Sequence, residues 1–556
     1  MSPRTANRRI RLLLLFLVAV FSATLVRAVW LQGVKAQSLS RMALDQHREQ
    51  VTIPARRGTI YDRTGLQLAI GEQATTVYAD PKQVRDPEAV ARAAARVFRL
   101  DAAKLERALG DRSRRFVYVR RKADPVRAAD LKRQKLPGLG FYSEERRIYP
   151  LGTVAAHVLG FAGVDNEGVA GLERSLEPVL KGRPGRETIV KDPFGRPIDF
   201  ISSVEERKGD DVILTLDHTL QANAETVLRE TVWRWRAKAA TAIVLDPRTG
   251  GVLAMAVAPG LDANRYDRAS LDRQRMRAVT DTYEPGSTFK LVTVAGALSE
   301  RIVTPKTAFT LPYSIQVADR RIHDSHARAT EQMSVARIFS RSSNVGTVTL
   351  AQKLGQTRLA RWISRFGFGR RTGIDYPGEE VGIVLPPERW SGSTIGTVPI
   401  GQGIAVTPIQ MASAYAAIAN RGVFVRPHVV DHVAGARRPR VERRRIVSRT
   451  VAAQLVALLQ NVVAEGTGEL AAVPGYKVAG KTGTAQKPDR FGGYARRYVA
   501  SFVGFVPASS PRLVVLVMVD EPQGAIWGGV VAAPAFQQIA RFGLHYLEIP
   551  PDAPTG

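Results

Sequence analysis

The stretch Glu284-Pro285-Gly286-Ser287-Thr288-Phe289-Lys290 decides how the rest of this 556-residue sequence is read. Pro-Gly is a turn signal. A serine follows it, and the apolar residues 291–298 continue with helical spacing, so Ser287 falls at or near a helix N-terminus. Ser287 and Lys290 are three residues apart and project from one face, about 5–6 Å between Cβ atoms. A serine hydroxyl is a poor nucleophile until a base takes its proton. A lysine can act as that base once burial and neighbouring cations lower its pKa. The helix N-terminus adds backbone N–H groups and a favourable dipole for developing negative charge. Taken alone, the same spacing suits a serine cap beside a surface lysine.

Two further elements change the weight of that reading. Ser342-Ser343-Asn344 follows about 55 residues later, after a stretch from Met333 with helical character. A serine there can relay a proton, and an asparagine amide can bind a substrate amide. Then comes Val478-Ala479-Gly480-Lys481-Thr482-Gly483-Thr484-Ala485. On a strand, Lys-Thr-Gly lets an ammonium and hydroxyls face one side of a cleft, and Gly483 removes a side chain where another backbone must come close. Read singly, these are a polar helix end and a turn between strands.

In this order, S-x-x-K, S-x-N and K-T-G form a specific constellation. The chain resembles the penicillin-binding proteins, the serine acyltransferases of peptidoglycan synthesis. Its flanking text is similar to the high-molecular-weight class B branch. Arg57-Gly58-Thr59-Ile60-Tyr61-Asp62-Arg63-Thr64-Gly65, Arg147-Ile148-Tyr149-Pro150 and Gly168-Val169-Ala170-Gly171-Leu172-Glu173 resemble motifs of its N-terminal pedestal. Arg277-Ala278-Val279 onward to Lys290 resembles the nucleophile region, and Gly401-Gln402-Gly403-Ile404-Ala405-Val406-Thr407-Pro408 the loop before the Lys-Thr-Gly strand. The resemblance covers residues from about 10 to 549. Thr484-Ala485-Gln486-Lys487-Pro488 with Gly493-Tyr494, and Asp520-Glu521-Pro522 leading to Trp527-Gly528-Gly529, resemble the division-type members. Elongation- and sporulation-type members share the core motifs.

The resemblance implies a peptidoglycan D,D-transpeptidase of septal wall synthesis. Ser287 attacks the carbonyl between the terminal D-Ala residues of a stem peptide, and Lys290 takes its proton. Ser342 and Lys481 assist transfer to the leaving amine. Asn344 binds the donor amide. The Thr482 and Thr484 hydroxyls, beside Gly483 and the charge of Lys481, hold the terminal carboxylate. The backbone N–H groups of Ser287 and Thr484 form the oxyanion hole. An amine from a neighbouring stem peptide then resolves the acyl-enzyme, and β-lactams acylate the same serine. No metal or cofactor is implied. The implied partners are stem peptides, lipid-linked nascent glycan, a polytopic glycosyltransferase and other division proteins. A D-Ala-D-Ala carboxypeptidase or a β-lactamase-like hydrolase uses the same motifs with water in place of the amine. A non-catalytic sensor would need a signalling module, for which residues 1–11 are too short.

Composition agrees with an enzyme of ordinary globular type. The chain carries 80 Lys+Arg and 51 Asp+Glu, a net charge of +29, with 45% hydrophobic and 24% charged residues. These values exclude a disordered, collagen-like or multi-span membrane chain. With no cysteine, a disulfide framework, a thiolate nucleophile and a Cys-ligated zinc are excluded. His323-x-x-His326 lacks the glutamate of H-E-x-x-H, having Asp324 and Ser325 between the histidines, and reads as ordinary polar contacts.

Arg4, Arg8, Arg9 and Arg11 precede an apolar run. Residues 12–31, interrupted only by Arg27 near the far end, span about 30 Å as a helix, the thickness of a bilayer core. Trp30 suits the interface, and the basic cluster places the N-terminus in the cytoplasm. No small-residue cleavage site follows, so the segment reads as an uncleaved anchor in the bacterial inner membrane rather than a signal peptide. The remainder then lies outside the cytoplasm, which argues against nucleic acid as partner. The six arginines within residues 437–445 read as a solvated loop.

The organisation expected is α+β: a tail over 1–11, the anchor over 12–31, a helical stem over 32–50, a mixed pedestal over 51–210, a transpeptidase domain over 211–549 and a tail over 550–556. Residues 211–216 read as the first strand of that last domain. Residues 242–246 and 252–257 read as a hairpin about Pro247-Arg248-Thr249-Gly250, and 500–506 and 513–519 as a second pair. Helical patterns lie between them, giving an antiparallel sheet against a helical cluster.

Overall fold

Leu513-Val514-Val515-Leu516-Val517-Met518-Val519 shows no polar alternation, a pattern that demands burial on both faces of a sheet. The computed structural model, which describes residues 3–38, 48–191, 197–489 and 491–553, supplies both. Five antiparallel strands lie in the order Val252–Ala258, Ala239–Leu245, Leu513–Asp520, Tyr494–Val506, Ala479–Pro488. Side chains alternate between two cores. Ile243, Leu245, Leu516 and Phe505 join a core with Ile409, Tyr415 and Leu291 of the intervening helices. Ala242, Val244, Val517 and Phe502 join a core with Leu220 and Ala224 of helix His218–Trp235 and with Phe536 and Ile539 of helix Ala533–Tyr546. Both expected hairpin pairs are present, and the Lys-Thr-Gly segment forms the edge strand.

The chain divides into two compact units, Met1–Arg56 with Gly182–Lys208, and Arg57–Lys181 with Gly209–Gly556. In the first, an apolar helix covers Asn7–Val34, and strand Arg48–Ile53 pairs with Gly185–Lys191, which pairs with Pro197–Val204. The expected helical stem over 32–50 is therefore a strand at its end: Arg48–Gln50 pair in register with Thr188–Val190. Residues 39–47 lie outside the described residues. The 182–208 hairpin pairs with the strand before Arg57, while residues 57–181 belong to the larger unit.

Within the larger unit, Val212–Leu214 does not enter the five-stranded sheet. It lies parallel to Ile60–Tyr61 and antiparallel to Val430–Val433. Strand and helix also trade places with expectation elsewhere. Met333 lies in strand Glu331–Ser334, and Arg443–Arg445 pairs with Val423–Val425 rather than lying in a loop.

The three pedestal stretches singled out above meet on one buried carboxylate. Glu173 accepts from Arg57 Nε at 2.7 Å and from Arg147 Nε at 2.6 Å, all three side chains being at most 2% exposed. Arg57 also pairs with Glu177 at 2.7 Å, and Arg147 Nη1 donates to the Gly58 carbonyl at 2.8 Å.

Candidate active site

Ser287 lies in a 3₁₀ turn, Gly286–Phe289, that runs directly into helix Lys290–Ser299. Backbone contacts fix this turn from two sides. Gly286 donates its N–H to the Gly401 carbonyl at 3.1 Å. Gly286 has φ +54°, and a Cβ there would stand 2.9 Å from the Thr484 carbonyl oxygen. A Cβ on Gly483 would meet Ser501 Oγ at 2.4 Å and Pro285 O at 2.9 Å, so the edge strand approaches the turn only because residue 483 is glycine. Beneath, Tyr415 Oη donates to the Thr288 carbonyl at 2.9 Å.

One turn along, the fully buried Lys290 reaches the Ser-x-Asn segment. Its Nζ donates to Ser342 O at 2.5 Å and Asn344 Oδ1 at 2.7 Å, and lies 3.2 Å from Ser342 Oγ. These are its three hydrogen bonds among the described residues, and none goes to Ser287. The equally buried Lys481 arrives from the opposite wall: its Nζ is 3.0 Å from Ser342 Oγ and 3.3 Å from Thr482 Oγ1. Burial first, and then the Lys481 charge, push the Lys290 pKa well below the ordinary lysine value, against an opposing pull from Asp324. Burial lowers that of Lys481 to about 7.

On the edge strand, period-two alternation sets Lys481 and Gly483 on one face and Thr482 and Thr484 on the other. The long lysine chain bends its ammonium back toward the Thr482 hydroxyl, so ammonium and hydroxyls meet through reach rather than a shared face. The hydroxyls have partners of their own. Thr482 Oγ1 lies 2.7 Å from Thr467 Oγ1, and Thr484 Oγ1 accepts the Gly528 N–H at 3.0 Å. Asn344 is likewise committed on both ends, its Nδ2 donating to the His323 carbonyl at 2.9 Å. Lys290, Ser342, Asn344, Lys481 and Thr482 thus form one hydrogen-bonded cluster, with Ser287, Gly483 and Thr484 brought beside it through backbone packing.

Sequence reasoning passed over several residues here. Asp324 accepts from Ser343 Oγ at 2.9 Å and from Val345 N–H at 3.0 Å. Its only signal was its place between two histidines. Those histidines have separate partners: His323 Nδ1 lies 2.8 Å from Asp324 O, while the His326 ring stacks on Trp527 with centroids 6.2 Å apart. Glu284 accepts from Gly403 N–H at 2.9 Å and from Tyr494 Oη at 3.0 Å, joining the nucleophile segment to the 401–408 loop and to strand Tyr494–Val506.

Comparison with known proteins follows these contours. The family model for the penicillin binding protein transpeptidase domain matches residues 240–541, and that for the penicillin-binding protein dimerisation domain matches residues 52–214. Peptidoglycan D,D-transpeptidase FtsI of Escherichia coli strain K12 is 34% identical over 538 residues, covering 95% of this chain and 90% of that protein. Stage V sporulation protein D of Bacillus subtilis is also 34% identical, over 563 residues, 98% of this chain and 87% of that protein. The crystal structure of penicillin binding protein 3 from Mycobacterium tuberculosis complexed with ampicillin superposes with a TM-score of 0.72 at 30% identity, covering 91% of this chain and 98% of that one.

Proposed function

The chain belongs to the class B penicillin-binding proteins and is a serine-type peptidoglycan D,D-transpeptidase and β-lactam target; from that premise we propose that Ser287 is its nucleophile and that it cross-links stem peptides during septal wall synthesis. The observation that carries the site assignment is the meeting of Lys290 and Lys481 on Ser342 Oγ, at 3.2 and 3.0 Å. Two amines sharing one oxygen in a buried pocket disfavour double protonation. A neutral Lys290 spends its two N–H donors on Ser342 O and Asn344 Oδ1 and keeps a lone pair for a hydroxyl proton.

In this reading Ser287 Oγ attacks the D-Ala carbonyl as its proton passes to Lys290, and the tetrahedral oxygen is held by the Ser287 and Thr484 N–H groups. Donors of this kind are worth about 3–4 kcal/mol each when removed singly. Collapse breaks the peptide bond, and the leaving D-Ala amine takes its proton through Ser342 from the lysine pair. Lys481, Thr482 and Thr484 hold the terminal carboxylate, and Asn344 orients the donor peptide. An acceptor amine then attacks the ester, forming the cross-link and freeing Ser287.

The septal assignment is supported by the Thr484–Pro488 and Asp520–Pro522 text and the Trp527-Gly528-Gly529 sequence. The apolar helix Asn7–Val34, with Arg8, Arg9 and Arg11 at its start, supports a single-pass anchor with the N-terminus in the cytoplasm. A polytopic glycosyltransferase and other division proteins are its proposed partners, and lipid-linked nascent glycan the source of its stem peptides.

Mass spectrometry of the penicillin adduct tests the nucleophile: the label should map to Ser287 and vanish in Ser287→Ala while the protein stays folded. Stoichiometric label on another residue removes the mechanism. Depletion in the native cell tests the role: filaments support septal work, whereas loss of rod shape or a defect confined to spores points to the elongation or sporulation type. Protease protection from either side of the membrane checks the orientation.

A further inference from the structure

Ser342 stands between the two lysines with φ +58°, a left-handed conformation that costs a non-glycine residue about 1 kcal/mol or more and persists only where its surroundings impose it. His323 and Asp324 hold the residues that follow Ser342. Asp324 Oδ1 accepts from Ser343 Oγ and from the Val345 N–H, Oδ2 also accepts from Ser343 Oγ at 3.0 Å, and the His323 carbonyl accepts from Asn344 Nδ2. Each of the three residues after Ser342 is thereby tied to this pair. Ser343 also caps helix Asn344–Leu354, accepting from the Gly346 N–H at 2.9 Å.

Asp324 is itself held. It is 7% exposed, and Arg328 donates to its Oδ2 from Nη2 at 2.7 Å and from Nε at 3.1 Å. Arg328 spends its remaining donors on the Leu311, Pro312 and Ala329 carbonyls. The charged groups around the carboxylate are thus Arg328, then Glu331, 3.6 Å from Arg328 Nε and itself paired to Arg337, with His323 adjacent in the chain. Those facing Lys290 are Lys481 and Asp324.

We propose that Asp324 is a positioning residue of the transpeptidation reaction: its carboxylate, fixed by Arg328, clasps the Ser-x-Asn turn so that Ser342 Oγ stays between the two lysines. The proposal rests on the reading in which Ser287 is acylated with Lys290 as base. It separates Asp324 from an ordinary helix-capping group by predicting an electrostatic effect on a residue it does not touch.

The test is the pH dependence of acylation of the full-length protein by a fluorescent penicillin, with the labelled residue mapped in parallel. Removing the negative charge favours neutral Lys290, so Asp324→Asn should move the rising acid limb to lower pH. It should also lower the plateau about 10- to 100-fold through loss of the clasp. Arg328→Met leaves the charge uncompensated and should move the limb the other way, to higher pH. Asp324→Glu should restore the wild-type limb while leaving a reduced rate. These opposite displacements are beyond a merely structural role. An unmoved limb in Asp324→Asn and Arg328→Met, with wild-type label on Ser287, overturns this proposal alone. Wild-type label elsewhere overturns the catalytic reading and this proposal together. Should Asp324→Asn fail to fold, Arg328→Met and Asp324→Glu decide the matter by the same limb.

Discussion

Lys290 and Lys481 converge on a single hydroxyl, Ser342 Oγ, from opposite walls of the cleft, at 3.2 and 3.0 Å. Both side chains are fully buried, and no carboxylate is within bonding distance of either ammonium among the described residues. The pair is thus kept at the expense of stability, and the cost is greatest where both lysines would otherwise be charged.

That cost is measurable at Lys481. Its folded pKa, about 7, lies below the ordinary lysine value near 10.4. The unfolded chain therefore binds more protons between those values, and stability rises with pH across that window. Lys481→Met removes both the slope and the cost. It should be more stable than wild type near pH 7 by about 1–4 kcal/mol, with the difference shrinking toward pH 10, while penicillin acylation slows without moving from Ser287. Denaturant unfolding at several pH values, paired with acylation rates, checks both halves.

Gly483→Ala addresses the approach of the edge strand to the nucleophile turn. The added methyl would stand 2.4 Å from Ser501 Oγ and 2.9 Å from Pro285 O. The serine can rotate away but the carbonyl is backbone, so the strand must shift. Acylation should fall about 100-fold, with a stability loss of about 1–3 kcal/mol from overpacking. Adding Ser501→Ala should recover stability in part and the rate hardly at all. Recovery of the full rate in the double variant would show that Ser501, not the Pro285 backbone, sets the distance.

Much of this site was legible because the chemistry is carried by short runs of fixed order. Ser287 and Lys290, Ser342 and Asn344, and Lys481 to Thr484 are each ambiguous alone and become specific only as a set in that order. The strand pairs 242–246 with 252–257 and 500–506 with 513–519 were legible as apolar runs about turn residues. Asp324 was illegible for a physical reason: its function is to hold a turn 18 positions away in the chain, and nothing near it in sequence records that contact. The same holds for Val212–Leu214, whose three apolar residues fit any sheet and whose partners, Ile60–Tyr61 and Val430–Val433, are set by topology. The stem misread at Arg48–Gln50 failed likewise, since a polar stretch shows no preference until its partner strand near residue 188 is known.

The pedestal offers a stability prediction independent of the cleft. Glu173 neutralises two buried guanidinium groups, Arg57 and Arg147. Glu173→Gln keeps the volume and an acceptor but takes from Arg147 its ion-pair partner and leaves Arg57 with Glu177 alone. Breaking a buried pair from one side costs about 3–5 kcal/mol. The double variant Arg57→Met with Glu173→Gln should recover part of that loss, because one buried charge has been withdrawn with its partner. Chemical denaturation of the three proteins supplies the comparison, and equal stability of wild type and Glu173→Gln would sink the account.

Glu284 gives the opposite pH signature from an aspartate or glutamate in a surface ion pair. Burial raises its carboxyl pKa above the ordinary value, against hydrogen bonds from the Gly403 N–H and Tyr494 Oη. A raised carboxyl pKa means that the folded protein holds this proton more tightly than the unfolded chain, so its contribution is present at acid pH and lost as pH rises through the folded value. Glu284→Gln is neutral at every pH. Its stability relative to wild type should therefore improve as pH climbs from acid to neutral, while Glu284→Ala, which leaves the Gly403 N–H and the Tyr494 hydroxyl without their acceptor, should be less stable throughout. Thermal melts of the three proteins from pH 4 to pH 8 distinguish the cases. A Glu284→Gln curve running parallel to wild type would mean that the carboxyl has the same pKa folded and unfolded, its two hydrogen bonds cancelling the effect of its burial.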